Sequence, residues 1–230
     1  MSSLTKKRNT PTTADAPVSR LSIAETIARD LRRDILGAVI PPGQPIRQDH
    51  IARTYGVSQA PVREALRQLA SENLVSYEVN CGVKVPALAP QEALEIGALL
   101  AKLEPEFIAP AAKAFTAADY EKAKTALKKI SQASSVPDLL QAKEDFHEAI
   151  FVPAALPVTL QIVRQLRRRY ARYLGFMWQH GGNPRASRKE HRDLPDLISD
   201  GQVRQARDLL KSHIERTTET LAKSLARYQL

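Results

Sequence analysis

The chain has 230 residues, 43% of them hydrophobic, with a net charge of +9 and an isoelectric point near 9.8. That is enough apolar material for one large or two small domains with a true core, which excludes wholesale disorder, and the positive balance favours a polyanionic partner. A single cysteine, Cys81, excludes an internal disulfide and fits a reducing cytosol, and no apolar run is long enough to span a bilayer.

The charge is spread along the chain: residues 1–87 carry 12 basic and 8 acidic groups, and residues 88–230 carry 22 and 17. Residues 1–20 are rich in Ser, Thr, Pro and Lys without periodicity and read as a disordered arm. Lys6, Lys7 and Arg8 lie there, but no apolar core follows them as a signal peptide requires, so a soluble cytoplasmic protein with no membrane segment is expected.

From Leu21 a helix is predicted, with Ile23, Ile27, Leu31 and Ile35 as a buried ridge, Gly37 as its C-cap and Pro41-Pro42-Gly43 as its stop. Gln48 to Arg67 then reads as two short helices joined by a tight turn at Gly56. Ser58 is placed to cap the second helix and Pro61 lies in its first turn, where a missing N–H is harmless. Val62, Ala65, Leu66 and Leu69 mark one buried face, while Gln59, Arg63 and Arg67 share the opposite one. Val75, Tyr77, Val83 and Val85 alternate around Asn80-Cys81-Gly82, a short β-hairpin. Three helices and a hairpin over residues 21–87 make a winged helix-turn-helix, the layout of a DNA reader.

Ala87 to Pro90 reads as a hinge, and residues 88–230 as an all-α bundle, so the chain is mainly α. Glu92 to Phe115 is a helix with Leu94, Leu99, Leu100, Leu103 and Phe107 on its apolar side, kinked by Pro105 and Pro110. Thr116 and Asp119 approximate a capping box for the next helix, and Pro137 suits the first position of the one after, which carries Leu140, Phe146, His147 and Ile150. Pro153 and Pro157 bracket a loop before a long helix from Val158 to Gln179, which Gly181-Gly182-Asn183-Pro184 terminates. A helix through Glu190 and His191 is interrupted by Pro195, and a last helix runs from Gln202 to Arg227.

The stretch ILGAVIPPGQPIRQDHIARTYGVSQAPVREALRQLASENLVSYEVNCGVKV resembles the DNA-binding domain of GntR-type bacterial transcription regulators, most specifically in GVS-x-x-PVREAL-x-x-L. The chain departs from that pattern at Gln59 and Ala60, where Arg and Thr are usual, at Asn73 in place of Gly, and at Gln48 in place of an acidic residue. The Gln59 change implies altered reading, since Arg pairs with guanine whereas Gln prefers adenine. EALEIGALLAKLEP, EDFHEAIF, KEHRDLPDLI and QARDLLKSHI resemble the ligand-sensing FCD domain of the FadR subfamily.

The resemblance implies a homodimer whose recognition helices enter successive major grooves of a pseudo-palindromic operator. It places Arg63 and Gln59 on bases, Arg47, Arg67 and Ser58 on phosphates, Gln48 and Ala60 beside them, and Cys81 and Gly82 at the wing tip near the minor groove. It also aligns His147, His191 and His213 with the three imidazoles that metal-binding FCD domains place around zinc, nickel or manganese. The family's fourth ligand, an Asp four residues before the first His, is Lys143 here, and an ammonium repels a cation. The expectation is that Lys143, His147, His191 and His213 form an effector site in which Lys143 replaces the metal's charge and holds a small organic anion directly. The bland alternative has Lys143 reaching to solvent. Of Arg164, Arg167, Arg168, Arg169 and Arg172, one or two are expected to enter the cavity; Phe176 and Trp178 read as core or interface. The function expected is a ligand-responsive repressor, not an enzyme, with no catalytic residues. A metal-dependent enzyme built on the three histidines, or a helical interaction module with a degenerate DNA-binding part, are the rival readings.

Overall fold

The computed structural model describes residues 21–78, 82–182 and 191–227. The predicted N-terminal arm, Asn80, Cys81 and Glu190 lie outside the described residues. Helix α1 (Ile23–Leu36) opens with a complete capping box between Ser22 and Glu25, and α2 (Gln48–Tyr55) ends on Gly56 in the left-handed conformation at φ 64°. Helix α3 (Gln59–Ser71) follows after two residues and buries Val62, Ala65, Leu66 and Leu69, as the spacing predicts. At its end Asn73 takes φ 58°, letting the Leu74 amide bond back to the Leu69 carbonyl at 3.0 Å.

The hairpin is there as β2 (Ser76–Glu78) and β3 (Gly82–Lys84), but β3 also pairs with a strand the sequence did not announce, β1 (Pro45–Ile46). The sheet order β1-β3-β2 explains a second departure. Val83 on the central strand is buried, whereas Tyr77 on the edge strand is 53% exposed rather than packed. Ile23 likewise stands at 57% exposure, so the α1 ridge begins at Ile27. Gly37 does cap α1 but at φ −81°; the left-handed residue is Ala38. Side chains then tie the three helices together: Arg32 grips Glu72 with both ends of its guanidinium (2.7 and 2.6 Å), and the Tyr55 hydroxyl donates to Asp30.

In the helical part α4 (Pro90–Leu103) gives way to a 3-10 turn over Glu104–Phe107 before α5 (Ile108–Ala114), the break that Pro105 imposes. Pro110 does no damage because it lies in the first turn of α5. Leu94 and Leu99, predicted to be core, are partly exposed on the outside of α4. Helix α6 (Ala117–Gln132) has the Thr116–Asp119 capping box. Helix α7 (Val136–Phe151) starts one residue earlier than expected, so that Pro137 takes the second position and Ser135 the cap. Helix α8 (Pro157–Gln179) is the long helix. Pro195 begins α9 (Leu194–Ser199) rather than interrupting a helix, because a first turn tolerates the missing N–H. Helix α10 (Val203–Arg227) closes the bundle, with Leu210, Ile214, Leu221 and Leu225 buried.

Two apolar cores result, one in residues 27–85 and one in residues 88–225, and Leu36 at the end of α1 packs against both. Among the described residues no helix is long and apolar enough to cross a membrane.

Candidate functional site: an exposed recognition face and a buried polar cavity

On α3 the apolar stripe is fully buried, which leaves Ser58, Gln59, Ala60, Arg63 and Arg67 on the open side. Ser58 occupies the cap position, yet its hydroxyl makes no capping bond. The reason is local: the third helical residue is Pro61, which has no N–H to offer. The hydroxyl and the unsatisfied N–H groups of the first turn are thus available to an anion. Arg67 leans on Glu64 at 3.4 Å, whereas Arg63 makes no side-chain hydrogen bond or ion pair with any described residue. Arg47 is exposed at the cap of α2 and Gln48 is its half-buried first residue. Gly82 opens β3 at φ 76° beside the wing tip; Cys81 is outside the described residues.

The second site is a cavity of about 60 Å³ between α4, α7, α8 and α10. Lys143, Glu144 and His147 reach it from α7, Glu104 from the turn after α4, Arg167 and Tyr170 from α8, and His213 from α10. The three histidines do converge, with ring centroids 5.3 Å apart for His147 and His191 and 4.3 Å for His191 and His213. Lys143 is 6% exposed rather than extended to solvent, and its ammonium lies 5.0 Å from the centre of the Trp178 ring.

Arg167 organises the wall. Its Nη1 donates to Glu104 at 2.6 Å, its Nε to Glu144 at 3.3 Å and its Nη2 to Nδ1 of His147 at 2.6 Å. Burial raises the Glu104 carboxyl above the ordinary carboxylate range, and the guanidinium beside it opposes that shift. Burial, then the charges of Arg167 and His191, holds His147 well below the usual imidazole value, so the ring is neutral. Its Nδ1 faces both the Lys143 carbonyl, which accepts, and Arg167, which donates. Either tautomer satisfies one of them, and both commit that nitrogen to the wall.

Two cations, Lys143 and Arg167, line the cavity beside His147 and His213 and act against a metal ion, while Glu104 and Glu144 offset that charge. Among the described residues no group of three or more His, Cys, Asp or Glu side chains is disposed to hold one.

Sequence reasoning singled out the histidines and Lys143 but missed Glu104 and did not distinguish Arg167 from its neighbours. A usable sign was present. Arg167 falls on the apolar stripe Leu160, Val163, Tyr170 and Leu174 of α8, and Glu104 follows Leu100 by one turn on the buried side of α4. Arg164 and Arg169 instead pair with Glu148 and Glu92 near the surface, and Arg168 is exposed.

Arg172, the last of the five arginines of α8, is also buried at 6% exposure. It leaves the bundle and donates to three backbone carbonyls: Asn73 at 3.1 Å, Pro86 at 2.8 Å and Ala87 at 3.2 Å. Asn73 ends the α3 segment, and the other two lie in the linker. Next to it the Tyr173 hydroxyl donates to Glu92 at 2.5 Å, and the Ala89 amide donates to that hydroxyl at 3.4 Å. One turn further on, Gly175 presses on the carbonyl oxygen of Leu36, where any Cβ would collide with it. Helix α8 therefore faces the cavity with Arg167, Tyr170 and Leu174 and grips the winged domain with Arg172 and Gly175.

Comparison with known proteins matches this architecture. The model of bacterial regulatory proteins of the gntR family matches residues 23–85 and the FCD domain model matches residues 95–216. The HTH-type transcriptional regulator McbR of Escherichia coli (strain K12) is 27% identical over 177 residues, covering 76% of this chain and 79% of its own length. The solved structure of E. coli McbR/YncC superposes with a TM-score of 0.74 at 22% identity, covering 89% of this chain and 99% of that one. A probable D-xylose utilization operon transcriptional repressor of Paenarthrobacter nicotinovorans is 32% identical over 87 residues, 38% of each chain. With a winged domain that presents an arginine-bearing α3 and an FCD domain built around a polar cavity, the chain belongs to the GntR family of bacterial regulatory proteins, which are transcription regulators.

Proposed function

We propose that this protein is a homodimeric repressor whose affinity for a pseudo-palindromic operator is set by a small carboxylate-bearing metabolite in the cavity between α4, α7, α8 and α10. The observation that carries this reading is the double role of α8: consecutive turns line the cavity and hold the end of α3 and the linker. A ligand that favours one placement of α8 shifts the winged domain with it, and operator affinity follows from the difference in binding to the two states. Arg63 and Gln59 read bases, while Arg47, Arg67 and Ser58 hold phosphates. The partly exposed Leu94 and Leu99 of α4 and Val158 and Ile162 of α8 supply apolar surface for pairing two copies.

The cavity works without a metal, Lys143 and Arg167 providing the positive charge, and the protein acts by binding rather than by catalysis. One metal equivalent in purified protein, lost on His191→Ala, would contradict the metal-free part. The DNA part is tested by fluorescence anisotropy with the region upstream of the protein's own gene. Arg63→Ala is expected to weaken specific binding by about 1–3 kcal/mol. Affinity equal to wild type would contradict the assignment, and no binding by either protein would favour a degenerate interaction module.

A further inference from the structure

The cavity wall is balanced in charge, with Lys143 and Arg167 against Glu104 and Glu144. Arg167 is engaged in the wall: Nη1 donates to Glu104, Nε donates to Glu144, and Nη2 faces Nδ1 of His147. Three of its five N–H groups are thereby engaged in holding the wall. Lys143, held at the Trp178 ring, is the other cation of the wall.

Glu104 shows the opposite need. It is completely buried, Oε1 accepts from Arg167, and Oε2 has no hydrogen-bond partner. A buried carboxylate oxygen without a donor is an uncompensated loss of hydration, and a side chain in that state at a cavity wall marks where a ligand's donor belongs. An anion lacking a donor leaves that loss in place and adds a further negative charge beside Glu104 and Glu144.

Resting on the reading that this cavity is the effector site, we infer that its ligand is a small zwitterion of the α-amino acid class, its ammonium donating to Oε2 of Glu104 and its carboxylate facing Lys143. The volume agrees with a short molecule. About 60 Å³, at roughly 10–15 Å³ for each water-sized position, suits a ligand near glycine or alanine in size. Burial raises the Glu104 carboxyl, and an ammonium beside it would oppose that shift as Arg167 does. A site built to hydrogen-bond a ligand group discriminates strongly against the analogue that lacks it, because its own polar atom is then left bare.

The test is calorimetric titration and thermal stabilisation of the full chain with matched probes: glycine and alanine against acetate and propionate. The amino acids are expected to bind at least about tenfold more tightly than the acids that lack the ammonium. Glu104→Gln is expected to abolish the preference, weakening alanine by at least about tenfold relative to propionate. The wild-type comparison needs no variant, so a Glu104→Gln protein that fails to fold does not protect the inference. Acetate and propionate binding as tightly as glycine and alanine overturns the zwitterion and leaves the cavity reading standing. Binding by neither set overturns both.

Discussion

Arg63 on α3 and Arg167 on α8 are the same residue type on amphipathic helices, and they do opposite things. Arg63 is exposed with no partner among the described residues, on a helix whose entire apolar stripe is buried elsewhere. Arg167 has a partner for each nitrogen. The first is a charge held ready for something outside the molecule; the second fixes the shape of a cavity inside it. Arg172 makes a third case, a guanidinium whose Nη1 and Nη2 donate to backbone carbonyls across the boundary between the two parts while its buried Nε has no partner among the described residues. The basic composition of the chain therefore says little by itself. What a cation does is decided by which acceptors the fold brings to it.

Breaking the inner partnership should have the largest effect. Arg167→Met leaves Glu104 buried without its cation and should cost about 3–5 kcal/mol of stability in urea unfolding. A variant as stable as wild type would mean that Glu104 is protonated and the pair is not ionic. Next is the seam between the parts. Gly175→Ala drives a Cβ into the Leu36 carbonyl, and overpacking of that kind costs about 1–3 kcal/mol. Cleavage in the 86–89 linker under limited proteolysis should rise, and an unchanged digest would contradict the close docking. On the outer face, Gln59→Arg should move the preference at one operator position from adenine to guanine by about 1–3 kcal/mol, read by sequence selection. Identical selected motifs would show that position 59 does not read bases.

The smallest effect concerns pH. Burial first, then Arg167 and His191, hold His147 well below the ordinary value of 6.5. The unfolded chain takes up a proton near that value and the folded chain does not. The contribution is thus fully present above the ordinary value and is lost as pH falls from there towards the folded one. Urea midpoints at about pH 7.5 and 5.5 should differ less for His147→Gln than for wild type. Equal differences would assign the pH response to other groups.

Legibility in the sequence followed the range of the interactions. The winged domain was readable because its determinants are local: four apolar residues of α3 at helical spacing, Gly56 in the left-handed turn, Asn73 ending the helix segment. Strand β1 was not, since two residues carry no periodicity. In the helical part the positions of Lys143 and the histidines could be read by resemblance, and Lys143 proved to be buried. Glu104 and Arg167 lie 63 residues apart in sequence, and a charged residue is read as solvent-facing until its partner is known. Arg172 was harder still, because its partners are carbonyls that any residue type would supply. Leu94, Leu99 and Ile23 erred in the other direction: apolar spacing said core, and the packing of the single chain leaves them exposed.

The central claim is that the helical part governs the recognition helix through α8, and Arg172 is where that claim is most open to test. Arg172 lies in the seam between the two parts, so Arg172→Met removes the three carbonyl contacts without altering the exposed face of α3. Operator affinity measured by anisotropy should change by about fivefold or more, the range of an ordinary coupling free energy. Affinity unchanged from wild type in a folded Arg172→Met protein would contradict the account.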